Sequence, residues 1–164
     1  MTKPSEVDMG ELLGQVRDNV EKHHLPLPAK PKGSNVEFEF PDDPSALHGV
    51  QLGQMMLRFA GFFAYSQRLL SVLESELVLV DAEYKLQVNV ASVEVRKDLG
   101  RLSAEVIEAN VLADNEALTP LYKRRLELLS IKKLLEGRLS VYEKMGYALS
   151  RELSRREMES RLSA

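Results

Sequence analysis

One apolar stripe constrains this chain more than any other feature. Leu52, Met56, Phe59, Phe63, Leu70, Leu73, Leu77, Val80, Tyr84 and Ala91 follow one alternating four-three spacing, and only Ser66 and Gln87 interrupt it. No proline falls between Val50 and Asp98. Apolar residues recurring every 3.5 positions stay on one face only if the helix wraps a partner helix. The spacing therefore predicts one long helix from about Val50 to Leu99, spanning roughly 65–70 Å over some 45 residues at 1.5 Å per residue.

A second stripe matches it. Leu121, Leu128, Leu135, Leu139, Tyr142, Leu149 and Leu153 share a face, widened by Ile131, Leu134, Val141 and Met145, with Arg125, Lys132 and Gly146 in the same register. This predicts a last helix over residues 120–161. Between the two, Leu99-Gly100 reads as a C-cap, because glycine takes the left-handed conformation without a steric penalty. Ser103 reads as the cap of a short helix bearing Val106, Ile107, Val111 and Leu112. Asp114-Asn115 breaks it, and Thr119-Pro120 restarts, with threonine as cap and proline at the first helical position. Two long helices joined by about twenty residues point to an all-α fold: a long antiparallel helical hairpin, or coiled coil, with a short connector helix. Its core is expected at Leu52, Met56, Phe59, Phe63, Leu70, Leu73, Leu77 and Val80 on one arm, and at Leu128, Leu135, Leu139, Tyr142 and Leu149 on the other. One hairpin has little interior, so stripes of this width predict a homo-oligomer.

The preceding residues read differently. Met9, Leu12, Leu13, Val16 and Val20 mark an N-terminal amphipathic helix within residues 1–24, with Ser5 as a cap and Gly10 and Gly14 weakening it. Residues 25–44 form a proline-rich linker and extended arm. Pro26, Pro28 and Pro31 favour extended chain, Gly33, Ser34 and Asn35 turn it, and Val36-Glu37-Phe38-Glu39-Phe40 alternates as a strand does. Either Phe38 and Phe40 dock on the body, or the segment pairs with another copy. Pro41-Asp42-Asp43-Pro44-Ser45 stops the arm and starts the helical domain of residues 45–164.

Composition narrows the chemistry. The absence of cysteine excludes disulfides, thiolate metal sites and cysteine nucleophiles, and fits a reducing, cytoplasmic setting. No apolar run reaches the roughly 18 residues of a membrane span. MTKPSEVDMGELL lacks the basic start and apolar core of a secretory signal. There is no glycine-rich phosphate loop, no HExxH and no GxSxG, so no enzyme, cofactor or metal site is expected. His23 and His24 adjoin the linker, His48 stands alone, and Glu74, Glu76, Asp81 and Glu83 read as a solvated outer face.

Charge is informative once divided. Residues 1–48 hold 5 basic and 9 acidic side chains, residues 49–118 hold 6 and 10, and residues 119–164 hold 11 and 6. A hairpin would bring Arg96, Lys97 and Arg101, ending the first long helix, beside Lys123, Arg124 and Arg125, starting the last. Six cations at one tip suit phosphate binding through counterion release, with Tyr122 as a stacking surface; a salt-bridged, solvated tip is the alternative. Arg151, Arg155, Arg156 and Arg161 would lie near Glu37, Glu39, Asp42 and Asp43 and hold the arm.

Three stretches carry a resemblance: PDDPSALHGVQLGQMMLRFAGFFAYSQRLL, DNEALTPLYKRRLELL and ALSRELSRRE. Over roughly residues 41–157 they resemble small coiled-coil proteins of tailed phages, including UvsY-type recombination mediators. That resemblance implies ring-like oligomers, binding of single-stranded DNA, and loading of a RecA-class recombinase past a single-strand-binding protein in the host cytoplasm. The acidic overall balance and the proline-rich arm depart from the pattern. The other function compatible with the sequence is a phage structural or assembly protein joining only proteins.

Overall fold

A computed structural model of the 164-residue chain describes residues 8–22, 27–32, 40–100 and 102–163. Of these, 87% are helical, and no strand occurs among them. Ser5, Phe38 and most of the alternating segment, residues 36–39, lie outside the described residues, as do His23, His24 and Arg101. The chain contains helices α1 (Met9–Glu21), α2 (Gly49–Leu99), α3 (Ala104–Asp114) and α4 (Thr119–Leu162), with single 3₁₀ turns at Pro44–Ala46 and Glu116–Leu118. No helix among the described residues is long and apolar enough to cross a membrane.

Local chemistry explains the boundaries. Asp8 caps α1: its Oδ1 accepts from the amides of Gly10 (2.8 Å) and Glu11 (3.2 Å). Asp43 performs the same role for the first 3₁₀ turn, accepting from the Ser45 amide at 2.9 Å and from its hydroxyl at 2.6 Å. These bonds, the hydroxyl's first, hold the Asp43 carboxyl below its ordinary pKa. At the far end of α2, Gly100 takes φ 76°, and its amide donates to the Arg96 carbonyl at 3.1 Å. Ser103 caps α3 as expected, accepting from the Val106 amide at 3.4 Å. Thr119 departs from expectation. Its backbone is already helical (φ −58°, ψ −44°), and Asn115 supplies the cap one turn earlier, accepting from the Ala117 amide at 3.2 Å. The last helix thus starts through a tightened turn instead of a threonine cap.

The residues fall into two compact units, one of Met1–Leu25 with Val72–Lys132, the other of Pro26–Ser71 with Lys133–Ala164. In the second unit, Leu52, Phe59 and Leu149 are fully buried, and Phe40, Leu47, Met55, Met56, Phe62, Tyr142 and Met145 close around them. Phe40 meets Phe59 with centroids 5.8 Å apart, while Tyr142 meets Phe59 at 6.2 Å and stacks on Phe62 at 5.7 Å. The described part of the arm therefore docks on its own chain. Arg68 donates to the Pro28 carbonyl at 3.1 Å, and Arg156 donates to the carbonyls of Pro44 (3.3 Å) and Ser45 (3.0 Å). Besides the Phe40 ring, backbone carbonyls hold the arm, and among the described residues neither Asp42 nor Asp43 forms an ion pair with these arginines. Arg155 and Arg156 instead find an acid on their own helix: Glu152 accepts from Arg155 (2.8 Å) and Arg156 (2.7 Å).

In the first unit, rising positions on α2 meet falling positions on α4: Glu74 with Lys132 at 2.8 Å, Asp81 with Arg125 at 2.6 Å, and the Tyr84 ring with Tyr122 at 5.7 Å. Cations inside the apolar register of α4 are thus tolerated because each has an acid opposite. A second cluster, buried Ile107, Val111 and Leu118 against Val88, Ala91, Val95 and Leu112, fixes α3 and its following turn on the last turns of α2.

Candidate nucleic-acid interface

The cluster expected at the hairpin tip is not assembled as predicted. Arg96 and Lys97 occupy the exposed last turn of α2. Arg124 instead reaches Glu76, bonding through Nε at 2.9 Å and through Nη2, and pairs with Glu127 at 2.7 Å. Both acids, Glu76 first, raise its pKa. Twenty residues separate Glu76 from Arg96, roughly 30 Å along a helix. Arg125 pairs with Asp81 and places its guanidinium 5.2 Å from the Tyr84 ring centre. Lys123 is exposed, with no ion pair among the described residues. Tyr122 is half-buried against Tyr84, a packing contact and not an open stacking surface.

The cause is the connector. Because α3 and the Glu116–Leu118 turn fold back on α2, α4 begins alongside Tyr84 and not alongside Leu99. Arg96 and Arg125 do line one groove of about 230 Å³, with Ser92, Asn89 and Glu108 between them. There the Tyr84 hydroxyl donates to Glu108 at 2.5 Å. Burial, followed by that carboxylate, raises the tyrosine pKa. This groove is internally paired: Lys85 and Arg125 both bond Asp81 at 2.6 Å, and these bonds, Lys85's first, hold its carboxyl below the ordinary range.

A different basic surface emerges when α4 is read by face. Its buried and half-buried positions include Leu128, Lys132, Leu135, Leu139, Tyr142, Gly146 and Leu149, a repeat of three and four residues. Between Lys133 and Leu162, the three rows farthest from that repeat carry five cations: Lys133, Lys144, Arg151, Arg155 and Arg161. They carry no carboxylate. All the acids of this stretch (Glu136, Glu143, Glu152, Glu157 and Glu159) lie on the two flanking rows. Every residue of the outward rows is exposed, including Tyr147 at 68% and Leu134 at 71%.

Pairing differs along this face. Arg155 is engaged by Glu152 and Glu159, and Glu152, bonded first by Arg155 and then by Arg156, is pushed down to about 2. Lys133 has only a loose contact with Glu136 at 3.7 Å. Lys144, Arg151 and Arg161 make no ion pair among the described residues. The face lies wholly within the second unit, so its geometry is that of one helix. Grouping charges by sequence neighbourhood missed it; sorting them by heptad row would have found it. Among the described residues no cluster of three or more acids or histidines could hold a metal ion.

Comparison adds no relative: no family model, no curated protein and no solved structure matches the chain.

Proposed function

We propose that this protein is a non-enzymatic helical scaffold that binds single-stranded nucleic acid along the outward face of α4. One observation carries the reading: along α4 from Lys133 to Leu162, the three outward rows carry five cations and no acid. A polyanion meeting this face releases counterions, and the carboxylates of the stretch lie on the flanking rows. Exposed Tyr147 favours a single strand, because unstacked bases can lie on its ring while duplex bases are already stacked. Contacts limited to phosphates and one ring carry no base information, so binding is sequence-independent. In this proposal the two long helices run as one antiparallel hairpin, and a RecA-class recombinase or a single-strand-binding protein is the expected protein partner, as for a recombination mediator.

A second reading has its own support. Leu134, Val141, Met158 and Leu162 interleave with the cations and are exposed. Phosphates gain nothing from aliphatic groups, whereas an acidic, amphipathic protein partner would cover them. In that case the chain joins proteins only.

Fluorescence anisotropy with a labelled oligothymidylate over a salt series separates the two. With three to five phosphates neutralised, log K should fall with log salt at a slope of roughly −2 to −3.5. Lys144→Glu with Arg151→Glu should abolish most of the affinity, while Arg124→Gln should change it little. Absence of binding by the wild-type chain at low salt would eliminate the nucleic-acid reading and leave the protein-joining one.

A further inference from the structure

Among the described residues, one phenylalanine or tyrosine ring is exposed: Tyr147, at 68%. Its place on α4 is specific. Lys144 lies three residues before it and Arg151 four residues after it. Those steps rise about 4.5 and 6 Å along the axis, and all three residues project within about 60° of one another around the helix. Residues three and four apart are neighbours on a helix surface. Lys144 and Arg151 make no ion pair among the described residues. The tyrosine hydroxyl makes one long contact, donating to Glu143 at 3.5 Å. The ring meets no other ring and no cation among the described residues. Glu143 projects on the far side of the ring from Lys144 and Arg151, so no carboxylate of this stretch projects between the two cations.

We infer that Lys144, Tyr147 and Arg151 form a nucleotide subsite: one base of a single strand stacks on the Tyr147 ring, and Lys144 and Arg151 take the phosphates on either side of that nucleoside. This rests on the proposed nucleic-acid face and narrows it from a helix to three residues. The match is one of order. An internal nucleotide presents one π-face between two phosphates, and the helix presents one open ring between two unpaired cations. The remaining cations are placed differently. Lys133 and Arg161 are each fourteen residues from Tyr147, about 21 Å along the helix, out of reach of the same nucleotide. Arg155 is held by Glu152 and Glu159. These three add attraction along the strand, whereas the base contact belongs to Tyr147. Every base has a π-face, so stacking accepts any of the four, and phosphate contacts add no preference. A duplex has no free base face, so the ring contributes to single strands alone. The ligand is therefore a nucleotide esterified to phosphate on both its 3′ and 5′ oxygens, of any base.

Fluorescence anisotropy of the full chain with two labelled strands of about twelve nucleotides, an oligothymidylate and an abasic strand with the same number of phosphates, tests it. The wild type should bind the oligothymidylate about tenfold more tightly than the abasic strand. Tyr147→Ala should bring the oligothymidylate down to the abasic affinity and leave abasic and duplex binding unchanged, while Tyr147→Phe should keep the difference. Circular dichroism of both variants should match the wild type, since the ring faces solvent. Lys144→Gln and Arg151→Gln should each reduce the salt slope by about 0.7. Equal wild-type affinity for the two strands overturns the inference and leaves charge-driven binding by the α4 face standing. Binding to neither strand removes the inference and the proposed function together. An oligothymidylate affinity indifferent to Tyr147→Ala, or an equal loss on the abasic strand, also overturns the inference.

Discussion

Asp81→Asn offers the most direct test of how charge enters the helix pair. Asp81 receives Lys85 and Arg125, both at 2.6 Å. Its side chain keeps 24% of its exposure and that of Arg125 keeps 26%. A fully buried partner left unpaired costs about 3–5 kcal/mol, whereas an exposed pair is worth about 0.2–1 kcal/mol. One-quarter exposure places this substitution between those limits, near ~2 kcal/mol, or roughly 4–8 °C in Tm for a chain of this size. The Arg124–Glu76 pair is the internal control. Arg124 is 43% exposed, so Arg124→Gln should cost less than ~1 kcal/mol. The pH dependence follows from linkage. The Asp81 carboxyl lies below its ordinary 3.8 in the folded chain, first through Lys85 and then Arg125. Its contribution is therefore fully present above that value and is lost as pH falls through the lowered one. Thermal melts of wild type and Asp81→Asn should differ by a constant amount from pH 7 to pH 5, and the gap should narrow only below about pH 3.8. Equal cost for the two substitutions, or a gap that closes near neutrality, would refute the reasoning.

Three further outcomes are expected. Phe59→Ala removes a fully buried ring that also seats Phe40 and Tyr142, and should cost about 3–5 kcal/mol by urea denaturation. Tyr84→Phe leaves half-buried Glu108 without its 2.5 Å donor and should cost about 1–2 kcal/mol in thermal melts; Glu108→Gln, which keeps an acceptor, should cost less. Arg156→Met should leave helix content unchanged yet speed proteolysis near Pro44 and Ser45, whose carbonyls it binds. Glu152, which steadies Arg156, is ionised down to about 2. Its contribution is present above its ordinary 4.5 and fades as pH falls from there through about 2, so acid should accelerate wild-type cleavage over that window.

Periodicity alone located the long helices because burial depends on face. None of the twelve register positions from Leu52 to Ala91 is exposed, and even the two polar interruptions comply: Ser66 is buried and Gln87 half-buried. The α4 register fared less evenly. Leu128, Leu139 and Leu149 are buried, but Leu134 and Val141, which widen the stripe in the sequence, face solvent. A broad apolar arc in a sequence does not say where its centre lies; only the partner helix fixes that.

The connector was legible in pieces but not in direction. Gly100, Ser103 and Asn115 all announce breaks, and all three break the chain. No cap, however, states whether the helix between them extends α2 or folds back on it. That choice belongs to Ile107, Val111 and above all Leu118, a fully buried residue outside the heptad-based core assignments. Once those three seat on Val88, Ala91 and Val95, α4 must start about ten residues short of the end of α2. Arg124 and Arg125 then face Glu76 and Asp81 instead of Arg96 and Lys97. The expected basic tip and the observed ion pairs use the same α4 arginines; a few buried methyl groups in the connector decide between them. The cations that remain without an acid on the outward rows of α4 are those whose placement needs no tertiary information, only the helix period. This is why the helix period alone fixes that basic face, whereas the junction of three helices depends on packing.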